Sequence, residues 1–95
     1  MTEGTTKVCL DLLKADLGIS HNKRDEYFTS LLTANEEELA SKGIKLDEDR
    51  TSDVVLLAEY TAYNYRNRDT GNEMPKNLAL RIKNRKMKAR CEYDG

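Results

Sequence analysis

"AEYTAYNYRNRDTG", residues 58–71, sets three tyrosines, two arginines and a glycine within fourteen positions. Aromatic rings interleaved with arginine suit a platform on which nucleotides stack. The same residues suit a helix that packs on its own core and ends at a glycine. Helical phase separates the two readings. At about 100° per residue, a segment from Thr51 or Ser52 to about Arg68 puts Val54, Ala58, Thr61 and Tyr65 on one line. Leu57 and Ala62 flank that line, and the stripe is expected to face the core. Tyr60 and Tyr63 fall on the opposite side with Glu59, Arg66 and Asn67, and are expected to point outward.

The chain on either side divides at its glycines into further helical segments. The first is expected from about Thr6 to Leu17, capped by Thr5 or Thr6 and closed by Gly18 in the left-handed conformation. It carries two nearly opposite stripes, Val8–Leu12–Ala15 and Leu10–Leu13–Leu17. The second is expected from about Lys23 to Lys42, with Ser20 or Asn22 as cap and Asp25 and Glu26 in the favourable first turn. Its core face is Phe28, Leu31, Leu32, Asn35 and Leu39, widened by Tyr27 and Ala34; Gly43 ends it, with Ile44 placed for an apolar contact. "IKLDEDRTSD", residues 44–53, reads as a connector anchored by Ile44 and Leu46. "NRDTGNEMP", residues 67–75, is a turn, and Pro75 opens a fourth helix to about Arg90, with the last five residues fraying. The pattern predicts an all-α fold, a small single-domain bundle of about four helices with short loops over residues 1–95.

Composition agrees. One proline and five glycines are too few turn residues for an all-β chain of 95 residues, and 35% charged residues leave much solvated surface. A formal net charge of −1 tells against a free-standing DNA binder. The charge is unevenly spread. Residues 1–53 hold seven basic and twelve acidic groups, a balance of −5, while residues 71–95 hold seven basic and three acidic groups, a balance of +4. An acidic front and a basic end suit head-to-tail contact between copies. Cys9 and Cys91 stand near opposite ends without metal-ligand spacing, and a reduced pair is expected. No apolar run reaches the ~18 residues of a membrane span, and no signal-peptide pattern opens the chain, so a soluble, cytoplasm-made protein is expected.

Catalytic chemistry finds no footing. The sequence has no phosphate-cradling glycine loop, no metal-ligand cluster and no nucleophile–base arrangement, and His21 is alone beside a helix start. The expectation is a protein that is not an enzyme and takes no metal, cofactor or small-molecule substrate. The fourth helix repeats the two-sided pattern: Leu78, Ile82 and Ala89 line up, and Leu80 and Met87 share the reverse face. Helices with apolar groups on both sides are usually sandwiched, and a chain this short offers few internal neighbours. Tyr60, Tyr63, Arg66, Leu80 and Met87 are therefore candidates for a contact with another subunit. Lys76, Arg81, Lys83, Arg85, Lys86, Lys88 and Arg90 surround the fourth helix instead of forming one stripe. They are candidates for an acidic protein surface or a non-specific phosphate contact, since only Asn77 and Asn84 could reach base edges. A small helical nucleic-acid-binding regulator using this basic helix is the alternative reading.

Taken together, four stretches resemble the small head-tail connector proteins of tailed double-stranded DNA phages, also called adaptor, head-completion or DNA-packaging proteins. They are "VCLDLLKADLGI" (8–19), "DEYFTSLLTANEEELASKGI" (25–44), "DVVLLAEYTAYNYRNRDTG" (53–71) and "MPKNLALRIKNRK" (74–86), so the resemblance runs from residue 8 to residue 86. Tyr-x-Tyr-Arg-x-Arg leading into a glycine turn, then a Pro-initiated helix with Leu-x-x-x-Ile, is the most telling part. The resemblance implies an all-α subunit of a homo-oligomeric ring that docks under a portal protein. It further implies that the ring extends the DNA channel, helps complete packaging and presents a surface to the next head-completion or tail protein. The basic helix would then meet the portal or line the channel near packaged DNA, and the location would be the virion head–tail junction, assembled in the host cytoplasm.

Overall fold

The computed structural model describes residues 1–68 and 73–94, with side chains through Lys88. Four helices follow one another: α1 (Glu3–Leu17), α2 (Asp25–Ser41), α3 (Thr51–Arg66) and α4 (Lys76–Asp94). The protein is a small all-α bundle. Residues 69–72 of the turn expected at 67–75 lie outside the described residues.

Local chemistry sets each boundary. Thr2, in extended backbone, caps α1 by accepting the Thr5 N–H on its hydroxyl, so the helix starts a turn earlier than a Thr5 or Thr6 cap would place it. Gly18, at φ 73°, closes α1: its own N–H and that of Ile19 reach back to the carbonyls of Ala15 and Lys14. The same motif closes α2, where Gly43 at φ 92° and Ile44 donate to Ala40 and Leu39. Ile44 is thereby turned into the core. α2 starts at Asp25 without a side-chain cap; Asn22 instead accepts from the Lys14 ammonium at 2.8 Å, which also pairs with Asp25 at 2.9 Å. The Pro75 carbonyl takes the first hydrogen bond of α4, and that helix runs to Asp94, past the expected fraying point.

α3 is the hub. It packs against α1, α2 and α4, and among the described residues α4 meets no other helix. Cys9, Leu10 and Leu13 from α1, Phe28, Leu32 and Leu39 from α2, and Val54, Leu57, Ala58, Thr61 and Ala62 from α3 fill the main core. Asn35 is buried as a polar tie: its amide donates to the Thr61 hydroxyl at 3.1 Å, and its oxygen accepts from Asn64 at 3.2 Å. Of the two α1 stripes, Leu10–Leu13–Leu17 turns inward and Val8–Leu12–Ala15 turns to solvent.

Candidate assembly surfaces

The central position of α3 overturns one expectation. Tyr60 does not point outward; it is 5% exposed and belongs to the core, with its hydroxyl donating to Glu38 Oε1 of α2 at 3.0 Å. A helix with neighbours on three sides buries more than one face, so the angle that separates Tyr60 from Val54 does not carry it into solvent. Tyr63 is half-buried, packed against the core, and lines an open groove with Pro75 and Leu78 where α3 meets the start of α4. Tyr65, expected in the core, is only half-buried: its ring meets Phe28 edge-on at 5.3 Å between centroids, with the guanidiniums of Arg24 and Arg68 over its faces.

Arg66 is also occupied within the chain. It pairs with the Asp16 carboxylate at 3.5 Å and donates to the Asp16 carbonyl, tying the end of α3 to the end of α1. Leu80 and Met87 behave as expected from their phase, 57% and 54% exposed on the side of α4 away from Leu78 and Ile82. A second exposed apolar pair, Val8 and Leu12 on α1, was not among the candidate interface residues. Its stripe was visible in the sequence, but two opposite stripes of similar strength left open which one the fold would cover.

The basic helix divides into two populations. Arg81 pairs with Glu59, and Arg85 gives its Nε hydrogen to Asp53, whose carboxylate is almost wholly buried. These two arginines tie α4 to α3, a role beyond the portal or DNA-channel contact expected of them. Lys76, Lys83, Lys86 and Lys88 remain exposed, and the Arg90 side chain lies outside the described residues.

Burial and hydrogen bonding displace several ionisations. Burial pushes the Cys9 thiol up to about 12, and its sulfur donates to the Val54 carbonyl at 3.5 Å. Burial likewise raises Tyr60. Hydrogen bonds from Lys42 and then Tyr60 lower the Glu38 carboxyl, and the Arg68 hydrogen bond lowers Tyr65. Among the described residues there is no group of three or more His, Cys, Asp or Glu able to hold a metal ion, and no helix long and apolar enough to cross a membrane. Compared with known proteins, the chain matches no family model, no curated protein and no solved structure.

Proposed function

We propose that this chain is a structural assembly subunit of the head-tail connector kind, forming a ring that docks under a phage portal, extends the DNA channel and helps complete packaging. One observation carries the reading. Once Tyr60 and Arg66 are assigned to internal contacts, two apolar pairs stay exposed on different helices, Val8 with Leu12 on α1 and Leu80 with Met87 on α4. Two distinct patches suit a heterologous contact, in which one face of a subunit meets a different face of the next and the series closes into a ring. The acidic front half and the lysines of α4 add charge of opposite sign to the two partners. The resemblance of the four sequence stretches names the kind of assembly.

Complementary variants test it. Val8→Asp/Leu12→Asp and Leu80→Asp/Met87→Asp each remove one patch, so each variant alone stays monomeric in light scattering. Mixed together they retain one intact contact and form a heterodimer, while the unaltered chain forms rings visible by electron microscopy. A wild-type monomer at every concentration, with and without portal, defeats the proposal. The nucleic-acid reading keeps the four exposed lysines of α4 in its favour. It requires DNA affinity at about 50 mM salt that falls steeply as salt rises.

A further inference from the structure

Two exposed helix faces share one spacing and carry opposite charge. On α1, Val8, Asp11 and Ala15 recur three and then four residues apart, all exposed, with exposed Leu12 widening the stripe. On α4, Leu80, Lys83 and Met87 recur three and then four residues apart, and all are exposed. Each stripe covers about 10 Å of helix with one charged side chain at its middle. Neither Asp11 nor Lys83 makes an ion pair or hydrogen bond with a described residue. The charges around Asp11 are placed elsewhere: Glu3 and Lys7 line the groove between α1 and α2, and Asp16 pairs with Arg66. Around Lys83, Arg81 and Arg85 are tied to α3 and Lys88 lines the groove beside that helix. Lys76 and Lys86 stand exposed next to Lys83 and share its sign.

Deepening the assembly reading above, and resting on it, we propose that the α4 stripe of one copy docks on the α1 stripe of the next, with Lys83 paired to Asp11 at the centre of the contact. A charge within an apolar patch is costly to bury unless an opposite charge meets it. These two stripes meet that need for each other and for neither of the symmetric alternatives. α1 against α1 brings Asp11 onto Asp11, and α4 against α4 brings Lys83 onto Lys83, with repulsion in both. The charges therefore select the heterologous contact that a ring requires. The central position also makes the pairing independent of helix direction. Run parallel, Val8 meets Leu80 and Ala15 meets Met87; run antiparallel, Val8 meets Met87 and Ala15 meets Leu80. Asp11 stays within one residue of Lys83 in both.

Exchanging the charges tests this contact, read by sedimentation velocity and electron microscopy of the full chain at about 50 mM salt. Asp11→Lys and Lys83→Asp are each expected to weaken association at least about tenfold, since each sets like charges face to face. The double variant Asp11→Lys/Lys83→Asp restores an opposite pair and is expected to regain most of the loss, as is a mixture of the two single variants. Glu37→Lys, at an exposed position on α2, changes the net charge as much as Asp11→Lys and should leave association unaltered. Circular dichroism reports the fold of each variant. A folded double variant as weak as the single ones, or association indifferent to both single changes, overturns the contact while leaving ring formation standing. Rescue by the double variant in dimers or open filaments upholds the contact while the ring falls. A wild-type chain monomeric at every concentration, with and without portal, overturns both.

Discussion

Arg85 gives its Nε hydrogen to both carboxylate oxygens of Asp53, at 2.9 and 3.1 Å, and donates from Nη2 to the Lys45 carbonyl at 2.9 Å. One side chain of α4 thus reaches the first turn of α3 and the connector before it. Removing one partner of a buried ion pair strands the other charge, at about 3–5 kcal/mol. Asp53→Ala and Arg85→Ala are each expected to fall in that range by urea denaturation. The double variant should lose less than the sum of the two, by at least about 1 kcal/mol. Because among the described residues α4 packs against no helix but α3, Arg85→Ala should also make α4 sensitive to trypsin before α1–α3 are cut.

Tyr60 gives the second prediction. Its phenol is inside and its hydroxyl reaches Glu38, so Tyr60→Phe keeps the packing and loses the hydroxyl's hydrogen bonding, at about 0.5–1.5 kcal/mol per bond. Tyr60→Asp puts a charge into the core and should unfold the chain, seen as loss of helical circular dichroism. Leu80→Asp, on the exposed side of α4, should leave the thermal midpoint nearly unchanged. A folded Tyr60→Asp variant would contradict the burial of this ring.

The contrast between Tyr60 and Leu80 marks what the sequence could convey. Helix number and the glycine stops were legible because Gly18 and Gly43 act through backbone conformation, which is local. Ile44 and Leu46 were legible as anchors because an apolar residue in an acidic connector has few other uses. Which face of α3 meets solvent was not legible, since it depends on where α2 and α4 lie. The same holds for Arg81 and Arg85, whose roles come from Glu59 and Asp53 on another helix. Periodicity gives the angle between side chains but not the number of neighbours around the helix.

Gly43 offers a sharp local test. At φ 92° a Cβ is strained whatever the space around it, and no atom stands within 4 Å of where that Cβ would lie. Gly43→Ala is therefore expected to lose about 1–2 kcal/mol through backbone strain alone. Ile44→Ala at the adjoining position removes a buried side chain and should lose about 2–5 kcal/mol. The two are adjacent and share one helix stop, so chemical denaturation of the double variant should show a non-additive loss.

Three displaced ionisations together predict how stability varies with pH. Cys9 and Tyr60 are both raised by burial above their ordinary values of 9.0 and 10.0, Cys9 to about 12. Their contributions are whole below the unfolded-state values. Above about pH 9 the unfolded thiol ionises while the folded one stays protonated, so stability falls as pH climbs toward the folded value, and Tyr60 adds to the fall above about pH 10. Glu38 moves the other way. Its carboxyl is held below 4.5, so its contribution is present above that pH and is lost as pH drops through the folded value. Urea midpoints should therefore be flat between about pH 5 and 9 and decline on both sides. Cys9→Ala should shallow the alkaline limb, Glu38→Gln the acid limb, and Tyr60→Phe both, since Tyr60 titrates itself and donates to Glu38. An alkaline limb unchanged by Cys9→Ala would mean that the thiol is not held protonated in the fold. In a Cys91→Ser background, that thiol should react with a disulfide reagent only as fast as the chain unfolds, because Cys9 is completely buried.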